Sequence, residues 1–145
     1  MIDELFGEKA MLRVLVIDDD PTTLALVSRV LQAHGHHVTT LAPTRTGDGD
    51  PPGEQVAWRE FDAIILDLAM PGKAGDERMK EHVRRWSDSD KKRISVVLFS
   101  AMPARFMRQI ANTLFDAGLE NISILEKGRG LSGLIELVEQ TIARE

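Results

Sequence analysis

Four short apolar runs in this sequence each end in a residue type that phosphoryl-transfer chemistry uses. The runs and the residues that follow them are RVLVI (13–17) with Asp18, Asp19 and Asp20, FDAIIL (61–66) with Asp67, ISVVLF (94–99) with Ser100, and NISILE (121–126) with Lys127. Carboxylates hold a divalent cation, while a hydroxyl and an ammonium can each hold a phosphoryl oxygen. The four run ends together therefore predict one site.

The acidic residues at these ends predict a magnesium site. If Asp18, Asp19 and Asp67 lie together, their charges repel one another, and burial raises their pKa values further. Mg²⁺ relieves this repulsion, because it prefers a few carboxylates together with waters and substrate oxygens. A carboxylate beside Mg²⁺ can attack phosphorus without losing a proton, so the expected product is an aspartyl phosphate on the protein itself. Ser100 and Lys127 are placed to hold the phosphoryl oxygens.

The elements that must position these residues are buried strands alternating with amphipathic helices. The apolar runs are rich in Val and Ile and do not alternate with polar residues, which is typical of strands buried on both faces of a parallel sheet. A further strand is predicted at 37–41, and helices at 21–34, 53–60, 76–86, 103–117 and 131–142. This pattern predicts an α/β fold, a flavodoxin-like doubly wound five-stranded parallel sheet of order 2-1-3-4-5 with five helices.

Local signals refine these helices. Asp20 is the predicted N-cap of the first helix, Pro21 its first residue and Gly35 its stop. The predicted buried faces are Met79, Val83 and Trp86 in one helix, and Phe106, Ile110, Leu114 and Ala117 in another. Residues 42–53 are predicted to form a loop, and residues 87–93 are predicted to be extra residues between two elements.

Bulk properties exclude several functions. The 145 residues fit one domain, predicted at 12–145 with an N-terminal extension at 1–11. A net charge of −5 disfavours direct nucleic-acid binding. The apolar runs are far shorter than the roughly 20 residues of a membrane span, and the acidic N-terminus does not resemble a signal peptide. The absence of cysteine suits the reducing cytoplasm, which is the expected location.

The ordered motifs resemble one known family, the receiver domain of two-component response regulators. The strongest matches are VLVIDDDP (14–21) and FDAIILDLAMPGKAG (61–75), and Ser100 and Lys127 match the family's residues after the fourth and fifth strands. The resemblance implies that Asp67 is phosphorylated by a histidine kinase or phosphotransfer protein. It further implies Mg²⁺ ligands from Asp18, partly through water, from Asp19 and Asp67, and from the Ala69 carbonyl.

The resemblance also implies how such a domain works. It catalyses only its own phosphorylation and dephosphorylation, and is not otherwise an enzyme. Phosphorylation then shifts the face made by the fourth helix, fifth strand and fifth helix, which binds a downstream protein target. A homodimer through the fourth and fifth helices is a further expectation, although no residue in the sequence argues for it.

Two departures from the family keep another hypothesis open. Gly128 follows Lys127 where the family usually has Pro, and Ile124 stands where many members have Tyr or Phe. These differences motivate an alternative, a receiver that is not phosphorylated and acts as a binding scaffold. A second alternative is a haloacid-dehalogenase-type phosphatase, suggested by Asp18-x-Asp20-x-Thr22. It leaves Asp67 unexplained, and no further acidic pair follows Lys127.

The histidines do not predict a metal site. His34 lies at a helix C-terminus, which favours its charged form, and His36 and His37 would point to opposite faces of an extended segment. His82 is interpreted as a surface or groove histidine on its helix rather than as a phosphotransfer residue.

Overall fold

The computed structural model describes residues 11–41, 57–67 and 75–143 of the chain. The strands are β1 Arg13–Ile17, β2 His37–Leu41, β3 Ala63–Leu66, β4 Ser95–Ser100 and β5 Asn121–Glu126. The helices are α1 Pro21–Ala33, α2 Gly75–Arg85, α3 Asp88–Arg93, α4 Ala104–Asp116 and α5 Leu131–Ala143, with 3₁₀ turns at Trp58–Glu60 and Lys127–Arg129.

The five strands form one parallel sheet in the order β2-β1-β3-β4-β5, as the sequence predicts. Every residue of β3 and β4 is buried, because helices cover both faces of the sheet. The strand order reverses between β1 and β3, so the carboxyl ends of these two strands flank the crevice where ligands bind in such folds. This topology places Asp18 and Asp67 side by side.

Two apolar clusters, one on each side of the sheet, hold the helices in place. One includes Leu98 of β4 and Leu114 of α4, both fully buried. The other includes Val97 of β4 and Leu134 of α5, also with the side chains buried. Side chains of successive strand residues thus point to opposite faces, which decides on which side of the sheet each strand-end residue lies.

The helix predictions hold in part. Five α-helices are present in the described part of the chain, but one of them, α3, lies within 87–93, the stretch expected to lie between elements. Ser87 caps α3, its hydroxyl oxygen accepting the amide of Asp90 at 3.1 Å, and Ser87-x-x-Asp90 is a local signal that the sequence contained. Of the helix predicted at 53–60, the described part forms only the 3₁₀ turn Trp58–Glu60.

The exposure of two side chains differs from the prediction. Phe106 is 42% exposed and lies outside the buried face of α4, where Met107 is buried in its place. His82, predicted on the surface or in a groove, is buried, with its ring 5.3 Å from that of Trp58. Each correction concerns a single position on a helix. The helical period of the sequence does not decide which side of a helix the neighbouring elements cover.

His36 is also buried, and it joins the start of β1 to α5. Its Nδ1 accepts the amide of Leu12 at 3.2 Å, and its Nε2 lies 3.2 Å from a carboxylate oxygen of Glu139. Since Nδ1 accepts, Nε2 carries the proton and donates to Glu139. Both ring nitrogens of His36 are thus hydrogen-bonded within the protein.

We predict that His36→Phe destabilises the protein by about 1–3 kcal/mol, because the variant leaves the buried Leu12 amide without its acceptor. Urea unfolding followed by circular dichroism measures the change. His37→Phe is the matched control, because His37 is exposed on the adjacent position. Equal stability of the two variants would contradict a structural role for the His36 hydrogen bonds.

Some of the predictions about chain organisation concern residues that the structure does not describe. The loop predicted at 42–53 and most of the N-terminal extension predicted at 1–11 lie outside the described residues, so the domain limits stay predictions. Within residues 11–41, 57–67 and 75–143, no helix has the length and apolar character needed to cross a membrane.

Candidate functional site

Three carboxylates meet at the carboxyl ends of β1 and β3. One oxygen from each of Asp18, Asp19 and Asp67 lies within 4.8 Å of the others. Asp18 and Asp67 are buried, and Asp19 is half-buried. The backbone positions them: the amide of Asp67 donates to the Ile17 carbonyl at 2.9 Å, so β3 stays paired to β1 up to the acidic residue. The sheet topology thus brings together the acids that the sequence singled out.

Asp18 is held by its own loop and by a cation. One of its oxygens accepts the amide of Asp20 at 2.9 Å, and the other lies 2.9 Å from the ammonium of Lys127. Burial nevertheless raises the pKa of the Asp18 carboxyl, and the charge of Asp67 acts in the same direction. The two hydrogen bonds oppose this rise without cancelling it, so a negative charge on Asp18 is costly.

Asp20, the third acid of the run, has a different role. Its side chain accepts the amide of Thr22 at 3.1 Å and the hydroxyl of Thr23 at 2.7 Å, and it is the N-cap of α1. These hydrogen bonds lower the pKa of the Asp20 carboxyl. Asp20 is therefore a capping residue, as the sequence indicates, and it lies outside the carboxylate cluster.

Lys127 crosses from the end of β5 to the acids. Its ammonium lies 2.9 Å from Asp18 and 3.2 Å from Asp67, so it bridges the two buried carboxylates. Burial acts to lower the pKa of Lys127, but the hydrogen bond to Asp18 and the two negative charges outweigh burial and raise it. Lys127 is thus a fixed positive charge inside the acidic pocket.

Ser100 lies at the end of β4 and is completely buried. Its hydroxyl oxygen accepts the amide of Met102 at 3.1 Å, which leaves the hydroxyl hydrogen to be donated elsewhere. Strand alternation puts Ser100 on the α4 side of the sheet, together with Leu98. Ser100 therefore approaches the pocket from the side opposite to Lys127.

The two departures from the family pattern have local consequences. Gly128 lies in the 3₁₀ turn Lys127–Arg129, and open space surrounds the position that a Cβ would take. Gly130 ends this turn with φ of +86°, a conformation that favours glycine. Ile124 packs against the apolar cluster on the α4 side. Lys127 reaches the acids even though the residue after it is glycine.

The donor set fits a hard cation. Three carboxylates supply only oxygen ligands, which suits Mg²⁺, and their charges make the pocket strongly attractive to it. Among the described residues, Asp18, Asp19 and Asp67 form the group of acidic or His side chains whose ligand atoms lie close enough together to hold a metal ion. Ala69, whose carbonyl is the fourth predicted ligand, lies outside the described residues.

This combination of a doubly wound sheet with an acidic crevice and a bridging lysine defines a class of phosphoryl-accepting signalling domains. The family model for the response regulator receiver domain matches residues 14–138. The chain therefore belongs to the response regulator receiver domain family.

Similar proteins agree with this assignment. The transcriptional regulatory protein TcrA of Mycobacterium tuberculosis is 37% identical over 71 residues, which are 49% of this chain and 26% of TcrA. PilH of Pseudomonas aeruginosa is 30% identical over 88 residues, 61% of this chain and 66% of PilH. The chain thus spans about a quarter of the first relative and about two thirds of the second.

Solved structures share the fold. The chemotaxis protein CheY4 of Vibrio cholerae has a TM-score of 0.68 at 25% identity, with 91% of this chain and 99% of CheY4 covered. The response regulator TrrA of Thermotoga maritima, solved in complex with the histidine kinase ThkA, has a TM-score of 0.68 at 23% identity. That match covers 91% of this chain and 99% of the other.

Proposed function

We propose that Asp67 accepts a phosphoryl group from a phosphohistidine donor, and that the phosphorylated protein binds a downstream protein target. The observation that carries this proposal is the position of Asp67 at the strand-order reversal. Its buried carboxylate lies beside those of Asp18 and Asp19 and 3.2 Å from the ammonium of Lys127. Asp67 is also the residue that the family resemblance implies as the phosphoryl acceptor.

The transfer needs no general base. An oxygen of the Asp67 carboxylate forms the new bond to phosphorus, while the bond from phosphorus to the donor imidazole nitrogen breaks. The electron pair of that bond leaves with the imidazole. Lys127 and Ser100 then hold phosphoryl oxygens, the first as a charge and the second as a hydrogen-bond donor.

Asp18, Asp19 and Asp67 would hold Mg²⁺, with the Ala69 carbonyl as the further ligand that the family resemblance implies. When bound, Mg²⁺ neutralises negative charge on the transferring group. The protein's own contribution is to keep one oxygen of each of the three carboxylates within 4.8 Å of the others. Lys127 offsets part of their repulsion in the absence of the metal.

The proposed donor is a histidine kinase or a phosphotransfer protein. The complex of TrrA with the kinase ThkA supports a kinase as the partner, since TrrA and this chain share their fold. The proposed output surface is the face of α4, β5 and α5, whose two arrangements phosphorylation would bias through new contacts to Ser100 and Lys127. Homodimerisation through α4 and α5 stays a prediction.

A direct test incubates the protein with Mg²⁺ and a small phosphodonor such as acetyl phosphate. The expected result is a mass gain of one phosphoryl group that hydroxylamine removes, as it does from an acyl phosphate. No gain with this donor or with any histidine kinase would support the scaffold hypothesis instead. Continuous hydrolysis of a phosphomonoester, dependent on Asp18 and Asp20, would support the phosphatase.

The phosphorylated form is predicted to lose its phosphoryl group slowly. The residues two positions beyond Asp67 and Ser100 are Ala69 and Met102, and neither side chain can orient a water molecule toward the acyl phosphate. The decay of phosphorylated protein after removal of the donor measures the lifetime. A half-life of only seconds without a phosphatase would contradict this prediction.

A further inference from the structure

The path of the Lys127 side chain across the sheet identifies one more residue of the site. Lys127 follows β5, whereas the acids that it contacts follow β3 and β1, and β4 lies between. Neighbouring strands are about 4.8 Å apart, so the lysine must pass over the end of β4 to reach Asp67. The side chain of β4 that lies under this path decides what the lysine rests on.

The strand registers show that this side chain is Phe99. Phe99 pairs with Leu125 on β5, and Lys127 stands two residues beyond Leu125, on the same face of the sheet. On the other side, Asp67 and Phe99 come one residue beyond the paired Leu66 and Leu98. Phe99 therefore lies between the origin of the lysine side chain and its carboxylate partner.

The distance between the two side chains agrees with this placement. The ammonium of Lys127 lies 5.9 Å from the centre of the Phe99 ring, within the range of a cation–π interaction. The ring itself is 4% exposed and is packed in the cluster on the α5 side. The ring is thus a buried surface beneath the lysine side chain.

The turn that follows Lys127 contains two glycines. Gly128 has open space where a side chain would be, and Gly130 adopts a conformation with positive φ. Within the part of the chain that the structure describes, the ammonium contacts the carboxylates of Asp18 and Asp67 and the ring of Phe99. Phosphorylation of Asp67 would change the first two of these contacts but leave the ring in place.

We infer that Phe99 is a positioning residue that holds the Lys127 ammonium over the pocket through the face of its ring. This inference rests on the proposed phosphorylation of Asp67 for its kinetic effect, but the contact itself exists without phosphorylation. A purely apolar role in the core would be met equally well by any side chain of the same shape. The electronic character of the ring separates the two roles.

The test replaces Phe99 by phenylalanines carrying an increasing number of fluorine atoms, which weaken the negative ring face while nearly preserving its shape. The phosphorylation rate with acetyl phosphate and Mg²⁺ should fall about two- to fivefold across the series, as expected for the loss of one partly exposed cation–π contact. Thermal stability is measured alongside. The same series at Phe115, which is 62% exposed and far along α4, is the matched control.

A second readout does not depend on phosphorylation. The ε-methylene resonances of Lys127 should carry a ring-current shift that Phe99→Leu removes and Phe115→Leu leaves unchanged. In a Lys127→Met background, fluorination of Phe99 should no longer change the phosphorylation rate. An absent ring-current shift, or an equal effect of fluorination with and without Lys127, would overturn the inference. If the wild-type protein took no phosphoryl group, the proposed function would fail, and the resonance shift would still decide the contact.

Discussion

Replacing Asp67 by asparagine is expected to abolish the gain of one phosphoryl group from acetyl phosphate and Mg²⁺. The amide has nearly the shape of the carboxylate but lacks the negative oxygen that would attack phosphorus, so the loss should be complete rather than partial. Mass spectrometry of the intact protein measures it directly. The fold should persist, because the substitution also removes one of three mutually repelling charges from the pocket.

The matched control for this experiment is Asp88→Asn. Asp88 is an exposed acid in the first turn of α3 and lies outside the carboxylate cluster, so the variant loses the same charge without touching the pocket. It should gain the phosphoryl group at the wild-type rate. A phosphoryl gain by Asp67→Asn that equals that of Asp88→Asn would place the acceptor elsewhere and contradict the proposed function.

The sheet could be predicted because its strands carry a strong and simple signal. Runs such as AIIL in β3 and SVVLFS in β4 are buried on both faces, so almost every residue in them is apolar. The polar residue at the end of each run marks where the strand leaves the core. Since parallel strands end at the same edge, those marks identified the pocket as well as the strands.

One residue of the buried face of α4 was predicted wrongly, for a reason that concerns packing. Phe106 and Met107 are neighbours, and both are large and apolar, but only Met107 faces the core. A helical period allows either to begin the buried face. The choice depends on which flank of α4 the adjacent elements cover, and this is a property of the tertiary structure.

The short helix α3 illustrates a different limit. Its sequence, DSDKKR, has no apolar face, so periodicity gave no reason to expect a helix. The helix is held from outside: the Arg93 guanidinium donates to the carbonyls of Arg59 at 2.8 Å and Phe61 at 3.0 Å. Its cap, Ser87, was visible in the sequence, but a cap alone predicts little without an apolar run behind it.

Within the site, the residue types and their order sufficed for the acids but not for their supports. Phe99 was hidden inside an apolar run, where nothing distinguishes it from the core residues before it. Its relation to Lys127 depends on the register of β4 against β5, with Phe99 paired to Leu125. Estimating that register from the residues at which the two strands end could have identified Phe99 as part of the site.

The second large expected effect is on Mg²⁺ binding, and it distinguishes Asp18 from Asp20. Asp18→Asn is expected to weaken Mg²⁺ binding by at least about 10- to 100-fold, since even the loss of an outer-shell partner of a metal ligand costs that much. At a Mg²⁺ concentration a hundred times the wild-type dissociation constant, the metal would stabilise the wild-type fold by about 2.7 kcal/mol. The variant should lose about half of this stabilisation if its affinity falls 10-fold, and most of it if its affinity falls 100-fold.

Without metal the same substitution should act in the opposite direction. The pKa of Asp18 is raised in the folded protein, so its ionised form destabilises the metal-free fold once the pH exceeds the ordinary range of an aspartate. Metal-free Asp18→Asn should therefore be at least as stable as the wild type at neutral pH, and this advantage should vanish as the pH falls below that range. Asp20→Asn is the control, because asparagine caps a helix as well as aspartate does and Asp20 lies outside the cluster. Calorimetric titration with Mg²⁺ and urea unfolding with and without the metal measure both effects, and equal losses of Mg²⁺ affinity in Asp18→Asn and Asp20→Asn would contradict the assignment of ligand and cap.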